Sequence, residues 1–68
     1  MLHLSTAIDH PYGRGETHGI EDASLGLAPL AIAQLAHRRG DHYAAGYLDG
    51  YRSIFPSWDG VSGKRPPR

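Results

Sequence analysis

The longest apolar run lies between Leu27 and Ala36, where only Pro29 and Gln34 interrupt leucine, isoleucine and alanine. A surface helix carries one apolar stripe, whereas this run is apolar nearly all round and is expected to be buried on more than one side. It predicts a helix over residues 28–39, with Pro29 in the first turn, where its missing amide hydrogen does no harm. A looser lead-in turn is expected over residues 21–25. Arg38 and Arg39 suit the negative end of the helix dipole. Gly40 follows as the residue that tolerates a positive φ after a helix. Asp41 is placed to cap a second helix, expected over residues 42–55 and stopped by Pro56.

The second helix has its own pattern. Tyr43, Tyr47 and Tyr51 recur every four residues and share one face. Ala44, Leu48 and Phe55 form an adjacent stripe, with Ile54 beside it. Gly46 and Gly50 repeat at the same spacing. Each costs a helix about 1 kcal/mol relative to alanine, so something is expected to approach the backbone there: the first helix, or an interface. The predicted fold is all-α, a hairpin of two antiparallel helices.

Outside the hairpin the periods fade. Residues 1–8 alternate weakly through Leu2, Leu4 and Ile8, which suits a short strand or an arm over the hairpin. Residues 9–19, broken by Pro11, Gly13, Gly15 and Gly19, read as a loop. Trp58 follows the turn at Pro56 and either lids the small core or, exposed, anchors a partner. Residues 61–68 are rich in Gly, Pro and basic side chains and are expected to be disordered. The organisation is then an arm and loop (1–19), a helical hairpin (20–60) and a basic tail (61–68).

Length and composition sharpen this. The chain has 68 residues, and one core of that size supplies only a few kcal/mol. No cysteine is present to staple it. Self-association and a His/carboxylate metal site are the remaining remedies; the first is favoured, so a homodimer in a four-helix arrangement is expected. Its interface would use Leu27, Leu30, Ala31, Ile32 and Leu35. Seven basic side chains balance seven acidic ones, which argues against broad attraction to nucleic acid or membranes. The charge is uneven. Residues 1–22 hold four acidic side chains against Arg14, net −3, and the last ten hold three basic ones against Asp59, net +2. With neither a basic leader nor a long apolar span, a cytoplasmic location is expected.

Candidate chemistry is sparse. His37 and His42 flank Gly40, and His10 and His18 sit among Asp9 and Glu16, but no metal-ligand spacing on one helix face joins them. No cofactor is expected. Ser5, Ser24 and Ser53 lack a nucleophile-elbow frame, so no enzymatic activity is expected. Gly40 with Ala36 four residues earlier suits a DNA-reading helix-turn-helix. Against this, Arg39 and Asp41 stand where apolar residues are usual, and the second helix offers Tyr and Gly in place of a basic face. The favoured reading is a homodimeric module that binds and modulates another protein through Tyr43, Tyr47, Tyr51, Arg38, Arg39, Arg52 and Trp58. By size and architecture this is the class of phage-encoded inhibitors of host proteins, of anti-CRISPR or anti-activator type. The second reading is a small DNA-associated transcriptional regulator using Arg38, Arg39, Arg52 and the tail.

Overall fold

Three helices, not two, build the protein. In a computed structural model they are α1 (Pro11–Ser24), α2 (Ile32–Arg39) and α3 (Asp41–Ile54). The structure describes residues 10–61, 63, 64 and 66. The expected strand or arm over residues 1–8 lies outside them, as does much of the tail. Among the described residues there is no strand, and the fold is all-α.

Most of the loop expected over residues 9–19 and most of the lead-in turn expected over residues 21–25 together form α1. Pro11 opens it as its first residue, and the His10 ring nitrogen Nδ1 accepts a 3.2 Å hydrogen bond from the Tyr12 amide, capping the start. The helix shows no apolar period because it buries small residues: Gly15, Gly19 and Ala23, four apart, line its inner face. Its end is a Schellman motif. The Leu27 amide donates to the Asp22 carbonyl at 2.9 Å and the Gly26 amide to Ala23 at 3.0 Å, with Gly26 at a φ of 73°.

Residues 27–31 are not helical, so α2 is shorter than predicted and starts at Ile32. Pro29 disfavours a helical Ala28 before it. The loop's polar groups find partners in the core instead. The Tyr47 hydroxyl accepts from the Leu30 amide at 3.0 Å, and the Tyr51 hydroxyl donates to the Leu27 carbonyl at 2.7 Å. Gly40 alone joins α2 to α3, with a φ of 97°. Asp41 is the first residue of α3 and makes no cap hydrogen bond; it contributes its charge at the positive end of the helix dipole.

The more extensive helix contact is α1 against α3. A Cβ added at Gly15 or Gly19 would fall under 3.0 Å from the backbone at Tyr43 or Tyr47. One added at Gly46 or Gly50 would do the same at Tyr12 or Glu16. The partners rise together along both helices, so α1 and α3 run parallel, backbone against backbone. Gly46 and Gly50 thus seat α1, not the helix of the predicted hairpin.

The core lies beside this seam: Ala23, Leu35, Tyr43, Ala44, Tyr47, Tyr51, Phe55 and Trp58, with Ile32, Ala36 and Leu48 against it. Tyr47, Tyr51 and Phe55 stack in succession, at centroid distances of 6.1 and 5.3 Å. Trp58 closes over Tyr51 at 4.9 Å and over Tyr47 at 6.4 Å. It is the lid on the core.

Candidate interaction surface

The tyrosine stripe of α3 turns inward. Tyr43 is 9% exposed, Tyr47 and Tyr51 are wholly buried, and Trp58 is 2% exposed. In the free chain these four residues, expected to meet a partner, present little surface. Their rings carry the core, because a chain with few large aliphatic side chains on its inner faces must fill its interior with aromatics.

Their hydroxyls knit the three segments together. The Tyr43 hydroxyl meets His18 Nδ1 at 2.8 Å, and His18 Nε2 lies 3.4 Å from Asp22 Oδ2. The same carboxylate oxygen accepts from the Tyr47 hydroxyl at 2.8 Å. Both His18 nitrogens therefore face partners within the protein. No side-chain polar atom that is buried among the described residues lacks a hydrogen bond. On the far side of the seam the Tyr12 hydroxyl donates to Asp49, which raises its pKa.

Burial drives the Tyr47 hydroxyl pKa far above its ordinary 10, and the hydrogen bond to Asp22 raises it further against the opposing Leu30 amide. The folded state thus holds Tyr47 neutral where the unfolded chain would ionise it. Its contribution to stability is complete below pH 10 and is lost as the pH climbs toward the folded value. Tyrosinate absorbance from Tyr47 should accordingly rise together with loss of helical circular dichroism in one alkaline transition. Ionisation of all four tyrosines near pH 10 with helicity intact would contradict this placement.

The arginines do not share one face. Arg38 is exposed at the end of α2, and the Arg39 guanidinium stands 5.2 Å over the Tyr43 ring. Arg52 Nε donates to the Trp58 carbonyl at 2.9 Å and steadies the lid. The residues expected to form a self-interface also divide. Leu35 is buried in its own core, and Ile32 is half-buried against it. Leu27, Leu30 and Ala31 remain exposed, on a loop and not on a helix face. Of the histidines, His10 and His42 stand with rings 6.3 Å apart where α1 and α3 begin. Among the described residues no three His, Asp or Glu side chains gather as metal ligands would.

Among the described residues six large aliphatic side chains are exposed: Ile54 at 43%, Val61 at 77%, and four on the outer side of α1 and the loop after it. Ile20 is 39% exposed, Leu25 71%, Leu27 50% and Leu30 43%. Two shallow cavities flank a ridge made by Thr17 and Glu21. One, of about 430 Å³, is lined by Arg14, Thr17, His18, Glu21 and Tyr43. The other, of about 460 Å³, is lined by Thr17, Ile20, Glu21, Ser24 and Leu25. None of the α1 residues was legible as a surface while this segment read as a loop. The signal was the repeated spacing: Gly15 and Gly19 mirror Gly46 and Gly50. No helix among the described residues is long and apolar enough to cross a membrane. Comparison with protein-family models, with curated proteins and with solved structures finds no match for this chain.

Proposed function

We propose that the protein is a non-enzymatic interaction module that pairs with its own copy and, so paired, binds and modulates another protein. An inhibitor of the phage-encoded kind, of anti-CRISPR or anti-activator type, fits that role. One observation carries the reading: Ile20, Leu25, Leu27 and Leu30, four large aliphatic side chains within eleven residues, stand 39–71% exposed. A chain this short has few such side chains, and its core is built from aromatics while these remain outside. Large aliphatic side chains left exposed over one short stretch of chain favour contact with another macromolecule. The favoured contact residues move accordingly, from the tyrosine stripe to the outer side of α1 and the loop at residues 27–31. A DNA-directed role gains less support, because Arg39 and Arg52 are spent on Tyr43 and the Trp58 turn.

The test places a photo-crosslinking side chain at Leu30 in the full chain, in its native cell, with Ala45 on the exposed side of α3 as control. The reading expects one discrete foreign protein trapped from Leu30 and not from Ala45. Equal yields from the two positions, or nucleic acid as the only trapped species, would overturn it.

A further inference from the structure

Arg14, Thr17, Glu21 and Ser24 recur at three and four residues along α1, and all four are exposed. They therefore form one outward stripe, opposite the Gly15 and Gly19 face that seats α3. Arg14 and Glu21 are two helical turns apart, about 10 Å along the axis, which is too far for them to pair with each other. Neither forms an ion pair among the described residues.

We infer that this stripe is a two-fold self-interface, in which α1 of one copy lies antiparallel on α1 of a second and Arg14 of each meets the partner's Glu21. The inference rests on the self-pairing in the proposed function and names its face. The argument is charge complementarity under symmetry. In a two-fold contact, residue i meets residue j and j meets i. A single helix face with one cation and one anion two turns apart satisfies that rule without any further adjustment. The axis then passes between Thr17 and His18, where the small Thr17 side chain admits close approach. The Thr17 and Glu21 ridge of one copy enters the flanking cavities of the other, as ridges enter grooves in helix packing. Ile20 and Leu25 on the same side supply apolar area, and Leu25 reaches over the start of the second copy's α1. A foreign helix would have to present the same two charges at the same spacing, whereas a second copy presents them by construction.

The test is solution mass by light scattering across a concentration series, for the full chain and five variants. Wild type should be a dimer that weakens as salt rises. Arg14→Glu and Glu21→Arg should each raise the dimer dissociation constant by about tenfold or more, since two attractive pairs become two repulsive ones. The combined Arg14→Glu, Glu21→Arg chain restores both pairs with their signs exchanged and should dimerise nearly as wild type does. Arg14→Gln and Glu21→Gln, which bring no repulsion within the helix, should also weaken the dimer and flatten its salt dependence. Wild-type dimers indifferent to every variant would overturn this face while leaving self-pairing intact. Single variants that weaken the dimer without rescue in the combination would overturn the Arg14 to Glu21 pairing. A wild-type monomer at all concentrations would overturn both this inference and the reading beneath it.

Discussion

Gly46→Ala should destabilise the protein by about 3 kcal/mol, although alanine is the better helix former by about 1 kcal/mol. The added methyl would fall under 3.0 Å from the Tyr12 backbone carbonyl, and backbone cannot step aside as a side-chain tip can. The helices must separate, and the packing of Gly15, Gly19 and Gly50 along the same seam opens with them. A 68-residue domain has only a few kcal/mol in all, so this change should leave much of the chain unfolded at room temperature. Urea denaturation followed by circular dichroism reads the sign directly. If the glycines were incidental, Gly46→Ala would raise the urea midpoint; the parallel seam of α1 and α3 requires that it fall.

Tyr47→Ala should cost about 4 kcal/mol, the usual range for truncating a fully buried large side chain. Tyr47 is wholly buried, stacks on Tyr51 and meets the edge of Trp58. Its hydroxyl also links two segments, donating to Asp22 on α1 and accepting from Leu30 in the loop. Tyr47→Phe isolates that second role. It keeps the ring but leaves a carboxylate oxygen and a backbone amide short of a partner, for a loss of about 2 kcal/mol. Tyr51→Phe removes one bond, to the Leu27 carbonyl, and should cost about 1 kcal/mol. Were the tyrosines contact surface for a partner, all three changes would stay within about 0.5 kcal/mol in the free protein. The same denaturation series separates the two cases.

The helices α2 and α3 and the break between them were legible because ordinary signals mark them: an apolar run, Gly40 at the turn, and tyrosines at a spacing of four. What those tyrosines face was not. Periodicity places Tyr43, Tyr47 and Tyr51 on one side of a helix, but the side they share is inward only because α1 and the loop at residues 27–31 cover it. The helix α1 was missed because apolar periodicity is read from large side chains, whereas its inner face is Gly15, Gly19 and Ala23. Glycines that usually punctuate a loop here permit close backbone contact, and the distinction depends on a partner helix some thirty residues away. The start of α2 was misplaced because tyrosine hydroxyls from α3 satisfy the Leu27 and Leu30 backbone in an extended loop. The sequence does contain the decisive hints, namely the matching pair of four-residue glycine spacings and a Pro after a capping His10. With α1 in place, the candidate surface moves from the aromatic face of α3 to the charged and aliphatic outer side of α1.

That relocation of the interaction surface is the central claim, and cross-linking through one introduced cysteine tests it most directly. The chain contains no cysteine, so the background is clean. Thr17→Cys puts a thiol beside the inferred two-fold axis, and Ala45→Cys puts one on the exposed side of α3. Under mild oxidation at low protein concentration, Thr17→Cys should convert quantitatively to a covalent dimer with native circular dichroism, while Ala45→Cys stays monomeric on denaturing gels. Equal cross-linking of the two variants, or none from Thr17→Cys, would contradict the account.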